Sequence, residues 1–273
     1  MQNHLQVNIS VGNDLEREIM IAQLNAIGFE GFEEEPGILK AFITETKFDQ
    51  DEFHQLMNGY AIQFDIELVA ARNWNEEWEK NFEPVVIADF CSIRAGFHAP
   101  NPQTKFELII TPKMSFGTGH HATTFMMLQL MEHLEMREKT VLDFGTGTGI
   151  LAIMAEKLGA KEVVAIDVDE WSIENARENL ALNECSKIQL YKSDNIPGNK
   201  SFKIILANIN RNVILEQLPV MCKLLEAKGE LLLSGLLEKD YEIMQAEAIK
   251  YRLCLHNKSE KSGWIALRYI LID

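Results

Sequence analysis

The stretch Val141-Leu-Asp-Phe-Gly-Thr-Gly-Thr-Gly149, running on into Ile150-Leu-Ala-Ile-Met-Ala155, decides the reading of this chain. Residues 141–144 are an apolar run short enough for a buried strand. Glycine then alternates with threonine, and residues 150–158 follow with helical periodicity. In an open α/β sheet, ligands bind off the carboxyl ends of strands, where the strand order reverses. Alternate glycines let backbone approach a ligand with no Cβ in the way. The N-terminus of the following helix adds N–H donors and a partial positive charge. The spacing is Asp-x-Gly-x-Gly-x-Gly. The dinucleotide fingerprint Gly-x-Gly-x-x-Gly places its last glycine at position 150, where this chain has Ile150, and that disfavours a nicotinamide-dependent reductase.

Downstream, strand and helix patterns alternate. Strands are expected at 141–144, 162–166, 187–191, 202–207 and 230–234. Helices are expected at 150–158, 170–183, 212–226 (stopped by Gly229) and 239–250. Two closing strands, near 253–256 and 264–272 and joined through 258–263, read as an antiparallel edge. The pattern predicts a mostly parallel sheet with helices on both faces. Asp167 lies 22 residues after Gly145, at the tip of the second strand, where a carboxylate accepts the hydroxyls of a ribose. Ser193-Asp194-Asn195 follows the third strand, and Asp194 is placed to meet an adenine edge; an ordinary turn is the competing reading. Asn208-Ile209-Asn210 follows the buried strand 202–207. An amide carbonyl or backbone carbonyl there holds a nucleophilic amine by its hydrogens, with turn chemistry as the alternative.

Upstream of the glycine loop, Met114-Ser-Phe-Gly-Thr-Gly-His-His-Ala-Thr-Thr124 reads as a mobile or ligand-covering turn, with Phe116 and Gly117 over the site. Thr123 or Thr124 is expected to cap a helix from 125 to about 136. His120 and His121 have no third ligand at metal spacing, so no metal is expected. Residues 1–70 read as strand, helix, two strands joined at Pro36-Gly37, helix and strand, the order of a ferredoxin-like α+β unit. Residues 71–83 read as a helical linker ended by Pro84, with Trp74, Trp78 and Phe82 on one face. Residues 84–273 complete the chain as the α/β domain.

Composition narrows the partners. Lys and Arg number 26 against 41 Asp and Glu, a net charge of −15. Residues 1–70 alone hold 13 acidic and 3 basic side chains, and hence −10 of that charge. Direct nucleic-acid binding, which needs clustered cations, is not expected; a basic protein partner is. Cys91, Cys185, Cys222 and Cys254 are widely spaced and read as reduced thiols. There is no long apolar run, so no membrane span is expected, and the reading is of a cytoplasmic monomer.

Together these residues resemble the class I methyltransferases, and within them the PrmA family, the ribosomal protein L-eleven methyltransferases of bacteria. The resemblance rests on Phe116-Gly-Thr-Gly-His-His-Ala-Thr-Thr124, Leu142-Asp-Phe-Gly-Thr-Gly-Thr-Gly-Ile-Leu-Ala152, Ala165-Ile-Asp-Val-Asp169 and Ala207-Asn-Ile209, in order and spacing, and it spans essentially the whole chain. It implies a Rossmann-like domain behind a ferredoxin-like one. It implies S-adenosylmethionine as cofactor, contacted by Thr124, Gly145, Asp167 and Asn208; the reading of the loop, the strand tip and the covering segment adds Gly147, Asp194, Phe116 and Gly117 as cofactor contacts and Asn208 as the catalytic residue. It implies methyl transfer to lysine side-chain or N-terminal amines of the large-subunit ribosomal protein L-eleven, which the first domain recognises. Another protein or a small molecule as acceptor, or a binding module without turnover, are the competing readings. The chain departs from the family at Asn210, where an apolar or aromatic residue is common, and at Ala122, where many members have Pro.

Overall fold

The computed structural model describes residues 4–35, 37–60, 62–69, 83–113, 115–195 and 200–272. The expected helix with Trp74, Trp78 and Phe82 falls outside these residues, as does Pro36. The chain divides into two compact units, Met1–Asn81 and Phe82–Asp273.

The first unit runs β1 (His4–Ser10), α1 (Asp14–Ala26), β2 (Gly31–Glu35), β3 (Ile38–Thr44), α2 (Gln50–Tyr60) and β4 (Phe64–Val69). The sheet order is β2-β3-β1-β4 with every pair antiparallel, which is the ferredoxin-like arrangement. Asn13 caps α1, its Oδ1 accepting from Glu16 N–H at 3.0 Å. Asp49 accepts from the N–H groups of Asp51 and Glu52 at the start of α2. Val7, Ile9, Leu39, Ala41 and Ile43 line one sheet face and are buried with Met20, Leu24, Phe53 and Met57 of the helices.

The second unit opens with β5 (Val85–Ile87), β6 (Cys91–Arg94) and β7 (Phe106–Ile109), a small sheet in which β5 and β6 are antiparallel and β6 and β7 parallel. Strands of three or four residues carry too little alternation to be seen in sequence. Then come α3 (Ala122–Met131), β8 (Thr140–Phe144), α4 (Ile150–Lys157), β9 (Glu162–Asp167), α5 (Glu170–Leu182), β10 (Ile188–Lys192), β11 (Phe202–Asn208), α6 (Arg211–Leu224), β12 (Leu225–Leu237), α7 (Tyr241–Lys250), β13 (Leu253–Lys261) and β14 (Trp264–Leu271). The main sheet has the order β10-β9-β8-β11-β12-β14-β13. The first five strands are parallel; β14 and β13 are antiparallel additions. Alternation along the strands feeds two cores. Val141, Val163, Ile204, Leu206 and Leu232 face α3 and α4 through Met126, Leu130 and Ile153. Leu142, Val164, Ile205, Leu231 and Leu233 face α6 and α7 through Ile214, Leu218 and Met244.

Some local expectations change. The helix expected at 125–136 starts earlier, at Ala122, and ends at Met131. Its cap is neither Thr123 nor Thr124, both fully buried, but His121, whose Nδ1 accepts from Thr123 N–H. Gly229 does not stop α6; it lies inside β12, which begins at Leu225 rather than 230. The helix expected from 239 begins at Tyr241, after a short turn at Glu238–Asp240. β13 continues to Lys261, through most of the expected connection.

The order β8-β11 at the centre is a topological switch point. From β8 the chain steps outward to β9 and β10, then crosses back to β11 and steps out the other way. Ile205, fully buried on β11 beside that seam, tests the core. Ile205→Ala is expected to cost about 2–5 kcal/mol in urea unfolding; a loss below about 1 kcal/mol would show that the core closes over the vacancy.

Candidate functional site

The glycine loop is built around one carboxyl. Asp143, at the end of β8, is fully buried; its Oδ2 accepts from Thr146 Oγ at 2.6 Å and from Ala152 N–H at 3.2 Å. The loop is thereby folded back between strand and helix. Gly145 and Thr146 both donate their N–H to the Ile166 carbonyl of β9 at 2.9 Å. Gly145, Gly147 and Gly149 have φ of 75°, 55° and 82°, the left-handed region that glycine enters without cost. At Gly147 a Cβ would lie 2.3 Å from the Phe116 carbonyl oxygen, and at Gly145 2.2 Å from Ile209. Ile150 is buried in the core.

The segment before α3 closes on this loop. Thr148 donates its N–H to the Phe116 carbonyl at 3.0 Å and its hydroxyl to the Gly117 carbonyl at 2.6 Å. The segment that reads in sequence as a mobile or ligand-covering turn is pinned to the glycine loop at two points. His120 Nε2 donates to the Glu83 carbonyl at 2.8 Å. Sequence reasoning missed Asn179 of α5. Fully buried, it donates to the Thr148 carbonyl at 2.9 Å and accepts from Thr111 N–H at 2.8 Å, tying the loop to the chain entering the segment. A buried asparagine inside an amphipathic helix is the signal that was there to find.

Between the segment and the strand ends lies a cavity of about 560 Å³, within the range of small-molecule sites. Its lining includes Phe116, Gly145, Gly147, Asp167 and Asn208 from the expected set. Three expected residues stand elsewhere. Thr124 is behind the wall, where its Oγ accepts from Asn208 Nδ2 at 3.3 Å. Gly117 anchors the segment through its carbonyl. Asp194 is exposed and bonded to Asn195; its neighbour Ser193 lines the cavity instead. Val168, Ser172, Asn210 and Trp264 also line it.

The two sides of the cavity differ. On the β8-β9-β10 side, Asp167 Oδ2 accepts from Gly147 N–H at 2.9 Å and Oδ1 from Asp169 N–H at 3.0 Å. Its carboxylate is thus oriented by backbone, and each oxygen keeps a further lone pair for a ligand hydroxyl. The helix cap beyond it is Asp169. On the β11-β12-β14 side, Asn208 Oδ1 is buried with no hydrogen-bond partner among the described residues. An orphan buried acceptor in a cavity wall is a place for a donor from a ligand. Asn210 caps α6, its Oδ1 accepting from Val213 N–H at 3.1 Å. Beside it, β12 bulges at Ser234 and Gly235, where φ is 82° and a Cβ would lie 2.1 Å from the Ile209 carbonyl oxygen. Among the described residues, no three His, Cys, Asp or Glu side chains group as metal ligands, and no helix is long and apolar enough to cross a membrane.

Burial pushes the Asp143 carboxyl up to about 7; the Thr146 and Ala152 donors oppose the shift and the nearby Asp167 charge adds to it. An unfolded aspartate titrates near ~3.9, so between about pH 4 and 7 folding takes up a proton. Stability from this group is therefore lost as pH rises through that window, and stays level above it. Asp143→Asn removes the titration. The melting temperature of the variant relative to the natural protein is expected to rise from pH 4 to 7 and then flatten in scanning calorimetry; a difference independent of pH would count against the buried neutral acid.

The comparisons agree with this architecture. The model of the family described as Ribosomal protein L11 methyltransferase (PrmA) matches residues 10–270. The ribosomal protein L11 methyltransferase of Phocaeicola vulgatus is 37% identical over 267 residues, covering 95% of each chain. That of Porphyromonas gingivalis is 40% identical over 260 residues, covering 92% of this chain and 90% of its own. A crystal structure of ribosomal protein L11 methylase from Lactobacillus delbrueckii subsp. bulgaricus superposes with TM-score 0.64 at 28% identity, over 70% of this chain and all of that one. A methyltransferase from Pyrococcus furiosus, at 21% identity and TM-score 0.52, shares the fold. With the α/β sheet, its switch point and its glycine loop in place, the chain belongs to the ribosomal protein L11 methyltransferase family, S-adenosylmethionine-dependent methyltransferases of class I fold.

Proposed function

We propose that the chain binds S-adenosylmethionine in the cavity against the glycine loop and methylates lysine side-chain or N-terminal amines of ribosomal protein L11. The observation that carries this reading is Asn208, a residue of the cavity wall whose Oδ1 is buried without a partner among the described residues while its Nδ2 donates to Thr124 Oγ. An acceptor fixed in this way suits an amine, which arrives with hydrogens to donate.

Each side of the cavity has its part. Asp167, held by Gly147 and Asp169, accepts the ribose hydroxyls. Gly145 and Gly147 keep the floor free of side chains, and Phe116 covers it, with Gly117 anchoring the covering segment to Thr148. Ser193 and Asp194 stand near the adenine end. When bound, S-adenosylmethionine supplies a methyl on a positively charged sulfur that departs as a neutral thioether. The nucleophile is the harder partner. A lysine amine titrates near ~10.4, about 3.4 units above neutrality, so freeing its lone pair costs roughly 4–5 kcal/mol at pH 7. A low-dielectric cavity beside a positive sulfur disfavours the ammonium and lowers that cost. Asn208 then orients the free amine, and orientation replaces a general base. The acidic residues 1–70 are read as the surface that recognises the basic substrate, in a cytoplasmic, monomeric enzyme with no direct nucleic-acid contact.

Asp167→Ala is expected to weaken S-adenosylmethionine binding in calorimetry by roughly tenfold to a hundredfold, the scale of lost hydrogen bonds to a charged group; unchanged affinity would remove the ribose role. Asn208→Ala is expected to slow methylation of L11 by about 100-fold, as misplacement of a reacting group does. Incorporation of labelled methyl at the natural rate would rule out Asn208 as the amine's anchor.

A further inference from the structure

The acceptor side of the cavity carries an aromatic side chain from β14 that the methyl-transfer reading leaves without a role. Trp264, the first residue of β14, lines the cavity, as do His121 and Phe116. The three rings are packed edge to face. His121 and Trp264 have centroids 4.9 Å apart at 70°, and Phe116 and His121 5.1 Å apart at 62°. His121 has little freedom, because its Nδ1 is engaged by Thr123 as the cap of α3. Trp264 is placed by the antiparallel return of β14. Trp264 pairs with Leu237 and Ile265 with Leu236, while Ser234, the β12 partner of Asn208, donates its hydroxyl to the Ile265 carbonyl at 2.9 Å. The indole therefore stands at the strand ends on the same side of the switch point as Asn208, away from Asp167 and Ser193.

An orphan carbonyl and an indole in one cavity recognise different states of an amine. Asn208 Oδ1 serves an amine that still has hydrogens to donate. Each methylation removes one N–H, so this hydrogen bond weakens as the reaction repeats. The face of an indole attracts an alkylated ammonium by its quadrupole and needs no N–H. Resting on the amine reading above, we propose that Trp264, braced by His121, is the residue that retains partly methylated amines for further rounds, and so sets how many methyl groups are added. In each round the nitrogen lone pair forms the new C–N bond as the C–S bond breaks onto sulfur. The alkylated ammonium then loses a proton to solvent before the next round. The third round leaves a quaternary nitrogen with no proton to lose.

The test is the distribution of products, not the rate alone. Full-length natural protein, Trp264→Leu and Trp264→Phe are each incubated with ribosomal protein L11 and excess S-adenosylmethionine, and mono-, di- and trimethylated amines are counted by mass spectrometry at matched total incorporation. The ratio of trimethylated to monomethylated product is expected to fall on the order of three- to thirtyfold in Trp264→Leu, the scale of a cation–π contact, and to recover in large part in Trp264→Phe. A purely structural role slows every round alike, so an unchanged ratio in Trp264→Leu would overturn the proposal. Calorimetric binding of S-adenosylmethionine to each variant separates a damaged fold from an altered wall. If the natural protein puts no methyl on any amine of L11, the amine reading fails and this inference with it; methylation with an indifferent Trp264 sinks the inference alone.

Discussion

The site depends on the burial of Asp143. One carboxyl oxygen, holding the hydroxyl of Thr146 and the N–H of Ala152, fixes where β8 ends and where α4 begins. With that distance set, three residues of left-handed backbone fit between them, and only glycine occupies all three without strain. The loop then presents Gly147 to Asp167 on β9 and Thr148 to the covering segment, so three remote parts of the chain meet on one turn. The carboxyl is costly to bury charged; desolvation pushes its pKa up, and the two donors offset only part of that push.

The architecture was legible in sequence wherever a period ran long enough. The succession of strand, helix, two strands joined at Pro36-Gly37, helix and strand in residues 1–70 sufficed for a ferredoxin-like unit. The βα succession from Val141 sufficed for a parallel sheet with an antiparallel edge. Three-residue strands such as β5 were not legible, because three residues do not make a pattern. Gly229 misled for a physical reason: glycine after a helical run is a common stop signal, but here Leu225 already extends the backbone and Gly229 sits in a strand, where a Cβ would press on Leu225 and the Glu226 carbonyl.

Of the candidate site, the residues that touch the cavity through backbone or at strand tips were readable from spacing: Gly145, Gly147, Asp167, Asn208. Thr124 and Gly117 were readable as belonging to the site, but not as standing behind it. Their distance from the cavity follows from hydrogen bonds across 84 and 31 residues of chain, which no local pattern encodes. Trp264 was read as strand alone, since nothing in a terminal β-hairpin announces that its first residue returns to the strand ends of the sheet.

The residues proposed to meet the ribose come from β8, β9 and β10, and those proposed to meet the acceptor from β11, β12 and β14; the two groups of strands share one hydrogen-bonded seam, between β8 and β11. On the proposed reading, the part of the site that holds the cofactor and the part that holds the client therefore meet along a single pair of strands.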